Sequence, residues 1–470
     1  MSNKKAVTLR EALKILTPRP LESREEIAAL YSEKPNQVRG DDKIAHIKLG
    51  LTEADAENPY KAFLIGHSGS GKSTELSRLV NDMQDQYRFV RFDVREEIDP
   101  VNFKPFDILL LMMIKLVEET SKPVEEGGAG RRPSEYLLEN IYNWFNNKTV
   151  SITKKRSGEV KAELGVGKPK ETWWPKIVEI IASVKGEIKL SADREEKVVN
   201  YRLSRIYELV ELINALLAEC NELLKTEIDK QWVFIGESFD KPGIPRARIE
   251  DLFLNYANIL QDLETHLIFN IPLSLVYSEK GAQLPRLSGG TITIPDSPVF
   301  HPDHSPHLEG RDAMADILNK RMESYLFDSF QQNRLIVASG GNINQLLFLT
   351  SAAARYAIIR NAPEPRIGDK DVDRAILDMK KEFEGALGSD ASDEVAISWE
   401  DKASKLLQIY NQEPKARIRD QKLNSLLRAR AVQEFNGVGW FGVDPIVVDI
   451  MNEQNLIPPG VTGKAPGGTE

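Results

Sequence analysis

The chain has a single cysteine among its 470 residues, Cys220. That excludes an intrachain disulfide and any cysteine-built zinc cluster. Cys220 falls inside the apolar-periodic stretch Ile206–Leu224, where a small core residue in a reducing compartment is expected. Long hydrophobic runs are also missing. The longest, Ile108–Ile114, is far shorter than the roughly 20 residues that span a bilayer. Met1–Arg10 carries charge but no apolar centre, so a secretory signal is not expected. Positive charge is in deficit: 62 Lys and Arg stand against 71 Asp and Glu, a formal net charge of −9. Phosphate-backbone binding needs clustered cations, so a dedicated nucleic-acid binder is disfavoured. These absences point to a cytoplasmic protein with no membrane partner.

What is present suffices for real cores. Hydrophobic residues make up 41% of the chain and charged residues 28%. The length suggests two to four units. Short apolar segments at Ala62–Ile65, Phe89–Val94, Trp232–Ile235, Leu267–Ile271 and Thr291–Ile294 read as strands, with helical patterns between them. Strands alternating with helices predict a parallel sheet covered by helices on both faces. Helices are expected at Lys72–Asp85, Phe103–Glu119, Glu195–Leu224, Asp312–Phe330, Asn342–Ile359 and Asp371–Phe383. Residues 122–194 break the composition and read as an insertion, a hairpin plus a helix with parts lacking order. Trp144, Trp173 and Trp174 argue that part of it packs. After an acidic small-residue linker, Trp399–Tyr410, Lys422–Glu434, a turn at Asn436–Gly439, Trp440–Val443 and Asp444–Asn452 suggest helix, helix, hairpin and helix.

The chemistry starts at Gly66-His67-Ser68-Gly69-Ser70-Gly71-Lys72-Ser73, which fits G-x-x-x-x-G-K-[ST] without a mismatch. Glycines let the backbone wrap around phosphates with its N–H groups inward. The helix that follows aims its positive end at the anion. Lys72 is placed to reach the β- and γ-phosphates, and the Ser73 hydroxyl to ligate Mg²⁺. With Thr74, these residues form the expected nucleotide site, with ATP and Mg²⁺ as ligands. A P-loop needs an acid at the end of a buried strand. Glu237 and Asp240 follow Trp232–Ile235, one expected to hold Mg²⁺ and the other to orient the attacking water; Glu237 is the expected metal ligand beside Ser73. Asn270, at the end of Leu267–Ile271, is a candidate for bonding the γ-phosphate or the water, or simply a strand cap. Arg321, after the core, is a candidate arginine finger for a neighbouring subunit, or a surface arginine.

Three further signals have plainer readings. Leu287-Ser288-Gly289-Gly290 matches the signature of ABC-type ATPases but follows the acidic strand instead of preceding it, so a loop is expected. His301, His304 and His307 with Asp303 have the donor types for zinc, but prolines interrupt them and solvated imidazoles are the commoner outcome. Lys415, Arg417, Arg419, Lys422, Arg428 and Arg430 make a basic stretch that would suit DNA, or merely a solvated helix face.

At these residues the chain resembles AAA+/STAND-type P-loop ATPases, and within them the bacterial AAA-family ATPases near the replication-initiator (origin-recognition-like) group. The strings are Gly66 to Leu76 with its Thr74-Glu75-Leu76, Glu237-Ser-Phe-Asp240-Lys241 against Asp-x-Leu-Asp-Lys, Asn270-Ile271-Pro272 against Gly-x-Pro, and Ser339-Gly-Gly-Asn-Ile-Asn-Gln-Leu346 against Ser-Gly-Gly-Asn-x-Arg-x-Leu. The resemblance implies an α/β P-loop NTPase core at 41–305, after an N-terminal segment 1–40. It implies a helical lid at 306–385, a winged-helix-like domain at 386–457 and a flexible tail at 458–470. It also implies homo-oligomer assembly controlled by nucleotide, a separate effector protein as partner, and bacterial conflict or stress systems, antiviral defence among them, as the setting. DNA is the alternative partner. Two positions depart from the family: Glu237 stands where Asp is usual, and Asn344 replaces the lid arginine. Arg355 and Arg360 are the candidate substitutes. Both departures favour binding with slow hydrolysis, or a scaffold that keeps ATP as a structural ligand.

Overall fold

The computed structural model describes residues 5–55, 57–146, 174–241, 243–360, 363–388, 397–435 and 440–457. Five parallel strands form the central sheet: β1 (Lys61–Ile65), β2 (Tyr87–Asp93), β3 (Gln231–Glu237), β4 (His266–Asn270) and β5 (Thr291–Thr293), in the order β2-β3-β4-β1-β5. This is the α/β P-loop NTPase arrangement. Strands β1 and β4 are buried along their whole length, as continuous apolar runs in a parallel sheet require. Strand β2 lies at one edge, which is why it alternates: Val90 and Phe92 are buried while Arg91 and Asp93 are half-buried.

Helices cover both faces. On one, the helix after the glycine loop (Lys72–Met83) packs with Lys43–Glu53 through Ile44, Ile47, Leu76 and Leu79. On the other, Pro105–Ser121 and Ile206–Ile228 form the larger core. Pro105–Ser121 is buried nearly all round because helices of the 122–194 segment cover its outer side. That segment contributes Glu135–Phe145 and Trp174–Lys189. Trp144 stacks edge-on to Phe106 at 6.1 Å and donates its indole N–H to the Arg205 carbonyl. Its described residues are helical and hold no strand; the expected hairpin therefore does not occur among them, and Trp173 lies outside the described residues. Cys220 is buried and burial pushes its thiol up to about 12. Among the described residues no helix is long and apolar enough to cross a membrane.

Past the sheet, helices at Leu308–Asn319, Gln331–Ala338, Ile343–Ile359 and Asp369–Leu387 pack together. The predicted Asp312–Phe330 helix stops at Asn319, and the next starts only after Phe330, whose φ of 67° breaks helical geometry. The C-terminal unit runs Trp399–Tyr410, Gln421–Arg428, a hairpin of β6 (Val432–Phe435) and β7 (Trp440–Val443), then Pro445–Glu453. The predicted Lys422–Glu434 helix thus ends at Arg428. Arg430 turns left-handed at φ 56°, and Val432–Phe435 pair with Trp440–Val443 instead. The predicted turn Asn436–Gly439 and tail 458–470 lie outside the described residues.

Candidate nucleotide site

Parallel register brings three strand ends to one edge. Leu64, just before the glycine loop, pairs with Asn270 of β4, and Gly236, just before Glu237, pairs with Phe269. In open α/β sheets this carboxyl edge is where ligands sit. The loop Gly66–Gly71 leaves β1 here and enters the Lys72–Met83 helix. Gly69 lies at φ +91°, and a Cβ there would meet the Asn344 Cβ at 2.4 Å. A side chain is therefore excluded at Gly69 both by conformation and by the close approach of the lid.

The structure gathers several of the predicted residues around one open cavity, lined by Lys72, Ser73, Thr74, Asn270 and Gly69. Lys72 is 4% exposed; its ammonium donates to the carbonyls of Gly66 (2.8 Å) and His67 (2.7 Å) and pairs with Asp240 Oδ2 at 2.8 Å. Apart from that ion pair, the two buried Asp240 oxygens have no hydrogen-bond partner. Asn270 is buried and its Oδ1 lacks a partner as well. Glu237 lies at the same strand edge, but its Oε1 is held by Arg91, from Nε at 2.8 Å and Nη2 at 2.5 Å. Arg91 also donates to Ser77 of the loop helix at 2.8 Å. Ser238 has φ 69°, so the chain turns sharply after β3; it sends Phe239 into the core and Asp240 back toward the loop. His67 is buried, and burial with the nearby charges of Lys72 and Arg430 pushes its imidazole down to about 3. It is neutral at every physiological pH. The Ser70 carbonyl accepts from the buried Arg39 at 3.0 Å, and Thr74 Oγ1 accepts from Leu21 N at 3.2 Å. The second contact draws Pro18, Arg19 and Pro20 over the loop as one wall of the cavity.

The lid supplies the opposite wall, Ile343, Asn344 and Leu347. Asn342 caps the lid helix by accepting from Gln345 N, while its Nδ2 donates to Ser68 O (3.1 Å) and Asp296 Oδ1 (2.9 Å). Asp296, fully buried, also accepts from Gln433 Nε2 of β6 at 3.1 Å. Burial raises its carboxyl above the usual range. A continuous hydrogen-bonded path therefore joins the glycine loop to the C-terminal unit through Asn342, the cap of the Ile343–Ile359 helix. Asp444 sits beside this path, accepting from Ile446 N and from Gln345 Nε2. Burial pushes it from 3.8 up to about 7. An unfolded chain loses this proton near pH 3.8, whereas the folded chain holds it to about 7. Its contribution to stability is whole below 3.8 and is lost as pH rises through about 7. Asp444→Asn keeps an oxygen acceptor without that loss. The variant's melting temperature, taken relative to the parent at each pH, is expected to climb between pH 4 and 7; a flat difference would contradict this placement.

Other predicted residues are elsewhere. Arg321 is corrected: it is buried, not on an outer surface, and its Nη1 donates to the carbonyls of Leu30 (3.1 Å) and Ile317 (2.9 Å). Burial depresses its guanidinium to about 10. A group enclosed by its own chain does not reach a neighbour's nucleotide. Arg355 is exposed, and Arg360 pairs with Asp371 at 2.6 Å. They lie roughly 16 and 24 Å along the helix from Asn344 at 1.5 Å per residue, and neither lines the cavity. The three histidines do not converge. His304 stacks on Tyr410, His301 on His307, and His307 Nδ1 caps a helix at Gly310. Among the described residues no group of three potential ligands could hold a metal ion. Ser288 and Gly289 bond to Lys61 and extend the sheet edge, which accounts for the Leu287–Gly290 motif. In the basic stretch, Lys422 pairs with Asp401, Lys415 with Glu413, and Arg419 lies over the Tyr277 ring.

Sequence reasoning missed Arg39, Arg91 and Asp296. Arg91 and Asp296 are single charges beside strand ends, and only the pairing register shows that such positions face the site. A second cavity lies between Val299–His304 and the C-terminal unit, walled by Phe300, Tyr410, Phe435 and Trp440; among the described residues it has no lysine or arginine lining to meet a phosphate.

No model of a known protein family matches the chain, nor does any curated protein. A solved structure similar to it is that of Drosophila ORC bound to DNA, at 10% identity, covering 98% of this chain and 82% of that chain with a TM-score of 0.37. A likeness of that strength says nothing about substrates or partners.

Proposed function

We propose that the chain is an ATP-binding switch that hydrolyses its nucleotide slowly, and that its nucleotide state controls self-assembly or recruitment of a separate effector protein. The observation that carries this reading is the path Ser68–Asn342–Asp296–Gln433. A nucleotide in the cavity touches core and lid at once, so its phosphates bear on the residue that fastens both to the C-terminal unit. A ligand shifts an equilibrium only through different contacts in the two states, and this junction is where the reading locates that difference.

The site's donors suit Mg²⁺ as well as ATP. Mg²⁺ prefers hard oxygens, and the Ser73 hydroxyl with a strand-end carboxylate would hold it. Both strand-end carboxylates are already paired with a cation, Asp240 with Lys72 and Glu237 with Arg91, and Asp240 keeps its Oδ1 without a partner for the ion. The ion would neutralise phosphate charge, while Lys72 orients the phosphates and the loop N–H groups bind them. Slow turnover follows from an acid held by Arg91 and a lid position occupied by Asn344. The C-terminal unit is read as a winged helix that relays the nucleotide state.

The test is solution mass with ADP, ATP and a non-hydrolysable ATP analogue, with phosphate release followed on the same samples. Assembly or partner uptake confined to the triphosphate states is the expected result. A mass and a protease-cleavage pattern identical in every nucleotide state would remove the switch.

A further inference from the structure

We propose that Lys241 is a second phosphate ligand, the cation that makes this site favour a nucleoside triphosphate over a diphosphate. The assignment rests on the nucleotide-site reading above and deepens it.

Lys241 is in the right place. The left-handed turn at Ser238 returns the chain to the glycine loop, and Lys241 Nζ donates to Ser68 Oγ at 3.0 Å. Lys241 lines the same cavity as Lys72, Ser73 and Asn270. Pro18, Pro20, Ile343 and Leu347 give the cavity an apolar lining suited to a base. Lys241, Asn270 and Lys72 lie at the strand edge, the end where chemistry on the terminal phosphate would occur.

The local charge balance points the same way. Lys72 and Lys241 are both partly or wholly removed from water at this cavity, and Asp240 is the carboxylate between them. Among the described residues the cavity lining carries three cations: Arg19 is paired with Glu26, while Lys72 and Lys241 have Asp240 between them, which leaves a positive surplus that a polyphosphate would neutralise. Lys72 is held inside the loop by the Gly66 and His67 carbonyls, whereas Lys241 stands at the loop's rim on Ser68 and would share the charge of the terminal phosphate with it.

The neighbouring groups leave this task open. The lid offers Asn344 and no cation at this cavity. Asn270, buried beside Lys241, keeps an unpartnered oxygen aimed at no group of the protein, as expected where a ligand or its water completes the bonding. A cation from the core takes the place that a lid arginine would fill, so triphosphate recognition is carried by the turn that follows β3 and also bears Asp240.

Calorimetric titration of the full chain with ADP and with AMP-PNP, both with Mg²⁺, tests this. The variants are Lys241→Met, Lys241→Arg and Lys72→Ala, each first checked for an unchanged melting profile. The parent is expected to bind AMP-PNP more tightly than ADP. Lys241→Met should weaken AMP-PNP at least about tenfold, the worth of one charge-assisted bond, while ADP falls several-fold less, and Lys241→Arg should recover part of the loss. Equal weakening of both nucleotides, or no weakening, overturns the assignment while leaving the site reading intact. A parent that binds neither nucleotide, with Lys72→Ala indistinguishable from it, overturns the site reading itself. A Lys241→Met protein that melts early is replaced by Lys241→Gln, read against the same two ligands.

Discussion

Replacing Lys72 with alanine is expected to weaken ATP binding by at least about a hundredfold and to remove hydrolysis. Charge-assisted bonds to phosphate oxygens are worth roughly 1.5–3 kcal/mol each, and Lys72 is placed to make more than one. The experiment needs a companion, because the same ammonium is a structural element. It is 4% exposed and satisfies the Gly66 and His67 carbonyls and the buried Asp240 carboxylate. Removing one member of a buried ion pair costs about 3–5 kcal/mol, since the other charge is left alone. Lys72→Ala is therefore expected to lose stability together with affinity, and either loss alone would be ambiguous. Pairing Lys72→Met with Asp240→Asn separates them. The double variant removes both charges, so its denaturation midpoint should recover most of the way, while nucleotide binding stays lost. Recovery of binding with stability would mean that Lys72 acts only as a brace, and the phosphate reading of the loop would fall.

The double variant addresses a distinction that sequence does not carry. The spacing from Gly66 to Ser73 predicts a phosphate loop, and the five apolar runs predict the five strands that form. Both signals are local, so they survive without knowledge of the fold. The partner of Lys72 is not local. Glu237 and Asp240 look equivalent in a row of residues after a strand; the turn at Ser238 sends one to Lys72 and leaves the other with Arg91. Arg321 fails for the same reason. A Lys-Arg pair at a helix end suggests a surface, but the backbone of Leu30, far away in sequence, closes over it. The β6 strand is hidden differently: Val432–Phe435 continues an amphipathic pattern, and the helix ends at a left-handed arginine instead of a glycine. The start of the Ile343–Ile359 helix, by contrast, is legible in Ser339–Asn342, because two adjacent glycines before an asparagine encode both a turn and a helix cap.

Those glycines lead to the largest stability effect. Gly341→Ala is expected to destabilise the protein by roughly 3–5 kcal/mol and to weaken nucleotide binding with it. Gly341 has φ +85°, a conformation costing an alanine about 1 kcal/mol or more. The steric cost is greater. A Cβ at Gly341 would lie 1.6 Å from the Ser297 carbonyl oxygen, a backbone atom that cannot swing aside as a side chain would. Ser297 is fully buried and its N–H donates to Gly341 O at 3.1 Å, so the two backbones are already in contact. Relief requires the strand-end segment carrying Asp296 to separate from the lid segment carrying Asn342. That separation would break the Asn342–Asp296 bond and loosen the lid from Ser68. Gly385→Ala is the control. Gly385 lies in the helix Asp369–Leu387, and a Cβ added there would have nothing within 4 Å. Alanine at that position should raise stability by about 0.5–1 kcal/mol. Chemical denaturation of both variants, with nucleotide titration alongside, checks the pair. If Gly341→Ala unfolds at the parent's midpoint yet loses nucleotide affinity, the junction is a movable hinge. If it loses both, the same contacts that hold the lid also build the site.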